Sequence, residues 1–244
     1  DLGDDTLSGG AGNDDVRGQG GDDLLTYNGT DNQGSSDTYD GGGDNDTLLL
    51  ELTREQWLDP QVQQDIANFL AFIEANTDPE TGEVGGARFT FEAFDLTVRK
   101  IENLRITVDG VELDPRDEAV DAVEDTYTTA GEHSAISGNV TDNDDIPDLL
   151  REAVLVDDVD IGTLVFNSDG SFTYDPGNHF DYLAEGETST QTFSYKAIDA
   201  DFDEDTATVT IVITGTNDGP IAYIDSGTTE ENTVVSIDVL ANDT

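Results

Sequence analysis

Apolar residues recur along residues 1–48 at an interval that suits neither an α-helix nor a single strand. Leu7, Val16 and Leu25 stand nine residues apart, and after the insertion "YNGTD" (27–31) Tyr39 and Leu48 resume the same frame. Each of them follows an aspartate by two positions: Asp5, Asp14, Asp23, Asp37 and Asp46. The repeating unit is therefore a glycine-rich turn, a carboxylate and one inward-facing apolar residue, and units so short bury a core only by stacking. With two units to a coil, Asp5 is expected over Asp23 and Asp23 over Asp46 on one edge, and Asp14 beside Asp37 on the other. A disordered acidic linker would have no reason to keep this register across an insertion.

Beyond Leu48 the period changes. Thr53 with Gln56 reads as a capping box, and Asp59 followed by Pro60 is a second helix start. Val62, Ile66, Phe69, Leu70 and Ile73 then share one helical face. "ARFTFEAF" (87–94) and "ENLRITVDGVELDP" (102–115) alternate, the latter with Leu104, Ile106 and Val108 on one side. We read residues 49–115 as an α+β cap over the exposed end of the stack, with Trp57 in its core.

Residues 116–217 read as all-β. "GTLVFNSDGSFTYDP" (162–176) is a hairpin turning at Asp169 and Gly170, and "TFSYKAID" (192–199) and "ATVTIVITG" (207–215) add strands, with Val209, Ile211 and Ile213 buried. This pattern predicts an antiparallel β-sandwich. "AVEDTYTTAGEHSAISGNVTDND" (122–144) returns as "AYIDSGTTEENTVVSIDVLAND" (222–243), so residues 218–244 are expected to start a further sandwich repeat.

Composition sharpens the picture. Nine basic residues against 56 acidic ones give a formal net charge of −47, which excludes nucleic acid and anionic membrane surfaces as partners and asks for a divalent counter-charge. There is no cysteine, so disulfides and thiolate metal sites are excluded. No stretch is apolar enough for membrane insertion, and the opening "DLGDDTL" has none of the features of a signal peptide. Because the chain opens inside one repeat and closes inside another, it reads as a fragment of something longer.

The charge and the glycines point to the same ion. Consecutive glycines such as Gly9, Gly10 and Gly12, or Gly18 and Gly20, reach conformations that let backbone carbonyls crowd a tight turn. With an aspartate at the sixth place, the donor set is oxygen only, which suits calcium. "GGAGNDDVR" (9–17) resembles the RTX nonapeptide repeat G-G-x-G-x-D-x-U-x at every defined place, and the resemblance implies a calcium-filled parallel β-roll over residues 1–48. "GQGGDDLLT" departs at its second glycine, "NQGSSDTYD" keeps little beyond Asp37 and Tyr39, and "GGGDNDTLL" has Asp44 in place of the third glycine.

The later region resembles the VCBS and cadherin-like repeats of large bacterial surface proteins, on the strength of "GNVTDND", "GTLVFNSDGSFTYDP", "FDYLAEGE", "FSYKAIDADFDEDTATVTIVITGTNDGP" and the returning "IDVLAND". That resemblance implies tandem sandwiches in an extracellular rod, exported by Gram-negative bacteria, usually through type I secretion, and used in adhesion or biofilm attachment. The expected fold class is thus mostly β: a parallel β-roll with an α+β cap, followed by an antiparallel sandwich of the Ig/cadherin kind.

Further carboxylates cluster at the ends of the sandwich strands. Asp142, Asp144, Asp199, Asp201 and Asp218 are candidate calcium ligands between consecutive modules. Catalysis finds no motif: His133 and His179 lie in turn-like contexts, no nucleophile elbow surrounds a serine, and the Asp-Pro bonds at Asp59, Asp78, Asp114 and Asp175 each fit a helix start or a turn. The expected protein is not an enzyme. It is a calcium-dependent structural or adhesive segment whose partners are calcium, neighbouring repeats and a cell-surface or matrix ligand. The alternative is a noncatalytic accessory segment of a secreted hydrolase or toxin.

Overall fold

The computed structural model describes residues 2–116, 118–220 and 222–243; Asp1 and Thr244, the outer bounds of the predicted organisation, lie outside them. The first half of the chain alternates between two ladders. Strands β1 (Thr6–Ser8), β2 (Asp15–Gly20), β3 (Leu24–Asn28), β4 (Asp37–Gly43) and β5 (Thr47–Leu52) are followed by helices α1 (Arg54–Trp57) and α2 (Pro60–Asn76). Strands β6 (Arg88–Phe91), β7 (Leu96–Arg99), β8 (Asn103–Val108) and β9 (Val111–Leu113) complete this half. One sheet has the order β1-β3-β5-β8-β9 and the other β2-β4-β7-β6. Pairing is parallel throughout except for the closing hairpins β8-β9 and β6-β7.

The register is the one set by the nine-residue unit. Thr6 faces Leu24, an offset of two units, and Leu24 faces Thr47, the same offset lengthened by the five-residue insertion. Because side chains alternate across a strand, every second residue points between the sheets. Val16, Leu25, Tyr27, Tyr39, Leu48 and Leu50 fill that space, all but Val16 almost completely buried.

The expected boundary at residue 48 falls inside β5, and residues 49–115 are more than a cap. β7 pairs with β4, and β8 with β5, so the two ladders gain a further coil. The helices are an insertion into that coil. Their ends are as the sequence specifies: Thr53 and Gln56 form the capping box, and the Asp59 side chain accepts from the Gln61 N–H with Pro60 in the first turn. Val62, Ile66 and Phe69 are buried, and the Phe69 ring lies 4.9 Å from Phe91 and 5.1 Å from Phe89, which packs α2 against β6. Asp65 is also buried in that face, its carboxylate taking N–H groups from the Gln61 side chain and the Ala93 backbone.

The second half is built from β10 (Asp125–Thr128), β11 (Ile136–Asn139), β12 (Leu150–Asp157), β13 (Thr163–Phe166), β14 (Ser171–Asp175), β15 (Thr188–Asp199) and β16 (Glu204–Thr214). Sheets of order β10-β16-β15-β12 and β11-β14-β13 pack face to face. Phe172 of one meets Phe193 of the other at 5.2 Å, and Val209, Ile211 and Ile213 are fully buried. The expected all-antiparallel pairing needs one correction: β10 runs parallel to β16, Asp125 facing Val209, because the strand enters at the sheet edge without a hairpin partner of its own. Residues 218–220 and 222–243 hold no helix or strand. They do repeat one local contact, since the Tyr223 N–H donates to Asp243 as the Val123 N–H donates to Asp144, each at 2.8 Å.

Trp57 joins the two halves. Its indole N–H donates to the Asp148 carbonyl at 2.7 Å, so the residue belongs to the joint as well as to the first core. Arg151 reaches back to the Leu58 carbonyl at 2.6 Å, and the Arg54 guanidinium donates to the carbonyl of Leu150.

Candidate metal centre

The aspartates of the nine-residue frame form two columns. The Asp5 N–H donates to Oδ1 of Asp23 at 2.7 Å, and the Asp23 N–H to Oδ1 of Asp46 at 2.9 Å. On the other edge the Asp14 N–H donates to Oδ1 of Asp37 at 2.7 Å. Stacking thus places each carboxylate over the strand start of the preceding coil, and one oxygen of each acceptor is satisfied by backbone.

The other oxygen is not. Oδ2 of Asp14, Asp23, Asp37 and Asp46 is buried and has no hydrogen-bond partner. Asp23, Asp37 and Asp46 are at most 2 % exposed. A buried acceptor without a donor costs about 1–3 kcal/mol and a buried charge more, so four such oxygens in register call for a cation. Glycine keeps the space around them open. A β-carbon at Gly18 would fall 2.0 Å from Oδ2 of Asp23, and one at Gly41 would fall 2.4 Å from Oδ2 of Asp46. At Gly9 it would fall 3.0 Å from Oδ2 of Asp14, so the same five-residue interval recurs three times. Gly10 and Gly12 serve the backbone instead, with φ of 79° and 107°. Gly20 has neither role; Gly21, at φ 111° and against the Gly3 backbone, carries the turn.

Burial and crowding show in the acidities. Burial, then the neighbouring carboxylates of Glu102, Asp23 and Asp22, push Asp46 up to about 7. Burial also raises Asp37, with Asp14 and Asp95 adding repulsion.

Two features of the site escape the nine-residue reading. The first is Glu102, which ends one column: Oε2 accepts from the Asp46 N–H and Oε1 from the Val84 N–H, each at 2.8 Å, so both oxygens are occupied. The second is an outer column of opposite sense, in which Asp4 accepts from the Asp22 N–H, Asp22 from the Asn45 N–H and Asn13 from the Ser36 N–H. The signal for it lies in the dipeptides Asp4-Asp5, Asn13-Asp14, Asp22-Asp23 and Asn45-Asp46: the fifth place of these units is always Asn or Asp.

The five candidates in the second half do not form one site. Asp142 and Asp144 lie near Asp125, whose carboxyl is pushed up to about 6 by burial and by the charges of Asp144 and Asp142. Asp144 accepts from the Tyr195 hydroxyl and the Val123 N–H, each at 2.8 Å. Asp199 and Asp201 instead meet Asp148, a residue the sequence reading did not single out, with one ligand oxygen from each within 4.8 Å of the others. Burial, then contact with Asp201, pushes Asp199 up to about 8. Asp218 lies exposed beyond β16 and joins neither group. The His133 ring donates from Nδ1 to the Gly177 carbonyl, 3.1 Å away, at a half-exposed position.

Among the described residues, no helix is long and apolar enough to cross a membrane. No curated protein matches the chain. Residues 115–215, covering the sandwich just described, match the model of the bacterial cadherin-like domain, an adhesion-type or structural extracellular module.

Proposed function

We propose that the chain is a calcium-dependent structural segment of an extracellular bacterial adhesin, in which an RTX-like parallel β-roll folds around calcium and hands over to a cadherin-like array. The observation that carries this reading is the row of buried, unpartnered Oδ2 atoms of Asp14, Asp23, Asp37 and Asp46. The donors are hard oxygens at sites without nitrogen or sulfur, which favours calcium over zinc or copper. These four carboxylates would hold the ions together with carbonyls of the glycine turns. Bound calcium supplies positive charge and nothing more, so no catalysis is assigned to the chain. The formal charge of −47 supports the same conclusion, since compaction without cations works against strong self-repulsion.

The function follows from where calcium is plentiful. A segment that orders only in millimolar calcium is expanded inside a cell and rigid outside it, which suits a stalk that carries adhesive tips away from a surface. The test is isothermal calorimetry combined with far-UV circular dichroism on the full chain, with calcium and then with excess chelator. Several bound calcium ions and a reversible loss of β signal in chelator are expected. An unchanged spectrum together with no calorimetric binding overturns the reading.

A further inference from the structure

The joint between the two halves holds a carboxylate group with a different logic from the columns. Asp148, Asp199 and Asp201 come from the loop before β12, the last residue of β15 and the turn that follows it. Asp199 is fully buried, and neither of its carboxylate oxygens has a hydrogen-bond partner; Oδ1 of Asp201 is buried in the same condition. The charges that face Asp199 are those of Asp201 and Asp148. The Arg151 guanidinium beside it is engaged by carbonyl oxygens: Asp199 at 3.2 Å, Ala200 at 2.6 Å and Leu58 at 2.6 Å.

We propose that Asp148, Asp199 and Asp201 form a calcium site that latches the sandwich to the helical segment before it. Two oxygens on one calcium can be separated by at most about twice the bond length of about 2.4 Å, and the three ligand oxygens lie within 4.8 Å of one another. The position of the group gives the ion its role. Asp148 holds the Trp57 indole through its carbonyl, and the carbonyls of Asp199 and Ala200 orient Arg151 toward Leu58. An ion that fixes the two loops therefore fixes two of the contacts that cross the joint, those of Trp57 and Arg151. Without it, two buried carboxyl groups and a half-buried third crowd one another between those loops. The sequence places Asp199 and Asp201 between consecutive sandwiches; the structure turns them toward the preceding helices instead. The inference rests on the calcium reading above for the identity of the ion alone.

Trp57 is the sole tryptophan, which makes the site readable. Terbium binds calcium sites and luminesces when a nearby indole is excited. Titrated into the full chain under excitation selective for tryptophan, it is expected to give sensitised emission that millimolar calcium displaces. The double variant Asp199→Asn/Asp201→Asn, which keeps shape and removes charge, should lose that emission and bind one calcium fewer by calorimetry. The single variant Asp148→Asn should weaken it, which guards against misfolding of the double variant. Asp23→Asn should retain it, because the columns are separate. Emission that persists in both joint variants overturns the proposal. So does a wild-type chain whose amide exchange at residues 146–151 and 199–203 responds to pH but not to calcium, which would mean a proton shared by Asp199 and Asp201. Joint amides protected by calcium while those of β3 and β5 stay indifferent would sink the roll reading and leave the latch standing.

Discussion

The two halves of the molecule bury carboxylates in opposite ways. In the first, Asp23, Asp37 and Asp46 are buried where the strands of the stack begin, and the apolar core is the narrow fill between two parallel ladders. In the second, the core is a block of aromatic and aliphatic side chains, Phe172, Tyr174, Phe193, Tyr195, Val209 and Ile211, and the acidic groups sit at its margins. The difference teaches where each half obtains its stability. A sandwich with that much buried hydrocarbon can fold on burial alone, at about 25 cal/mol per Å² of apolar surface. The coils pay the conformational entropy of many glycines and hold uncompensated charge besides.

Calcium removal should split the two halves most visibly. In excess chelator, amides of β3, β4 and β5 should lose most of their hydrogen-exchange protection, while those of β15 and β16 keep theirs. Equal loss in both halves would erase the distinction.

Single residues come next. Gly18→Ala puts a β-carbon against Oδ2 of Asp23 and 2.3 Å from the Gly41 carbonyl, so about 1–3 kcal/mol of stability should be lost by denaturant titration in calcium. Gly34→Ala, at φ 78° with open space around it, should cost only the backbone term of about 1 kcal/mol. If the two cost the same, the glycines serve turns alone and hold no space for an ion. Asp23→Ala, which strips an acceptor from Asp5 and a member from the column, should likewise exceed Asp5→Ala in its loss of bound calcium.

Acidity offers a gentler test. Asp46 and Asp199 titrate at about 7 and about 8 in the folded chain, against 3.8 ordinarily. The folded state therefore binds these protons more tightly than the unfolded one. Their contribution is fully present below pH 3.8 and lost as pH rises through 7 to 8. In chelator, the chain should be more resistant to urea at pH 5 than at pH 8; with calcium, which competes with protons for the same oxygens, the order should reverse. Greater resistance at pH 8 in chelator would show that these carboxylates are not the burden described.

The smallest effect belongs to the joint. Trp57→Phe removes the hydrogen bond to the Asp148 carbonyl while keeping the ring, and should cost about 0.5–1.5 kcal/mol in global stability. A neutral result would mean that the two halves are not coupled through this contact.

What the sequence made legible was local or periodic. Thr53 with Gln56, Asp59 with Pro60 and the turn at Asp169-Gly170 each act within a few residues, and the columns repeat every two nine-residue units, lengthened once by the five-residue insertion, so the frame predicts Asp23 beside Asp46. The rest depends on contacts that no period announces. The pairing of Asp37 with Leu96 crosses both helices, which hides the further coil. Asp148 meets Asp199 only once β12 and β15 have paired, and Glu102 looks like any exposed acid until the Asp46 and Val84 N–H groups are seen to converge on it. The parallel entry of β10 is equally a property of the closed sheet.

Glu102 also gives the stack of coils a direction. In the column that it ends, amide protons point toward higher residue numbers, from Asp5 to Asp23 to Asp46 and then to a glutamate that is itself held by Val84. The stack therefore has a tied end and a loose end: at one, the backbone N–H groups of Asp46 and Val84 hold the Glu102 carboxylate; at the other, β1 clings to a single neighbouring strand. If the proposed calcium is drawn away, unravelling is expected to start at Thr6–Ser8 and move toward the helices, and reassembly to run the other way, each coil seated on the one already in place.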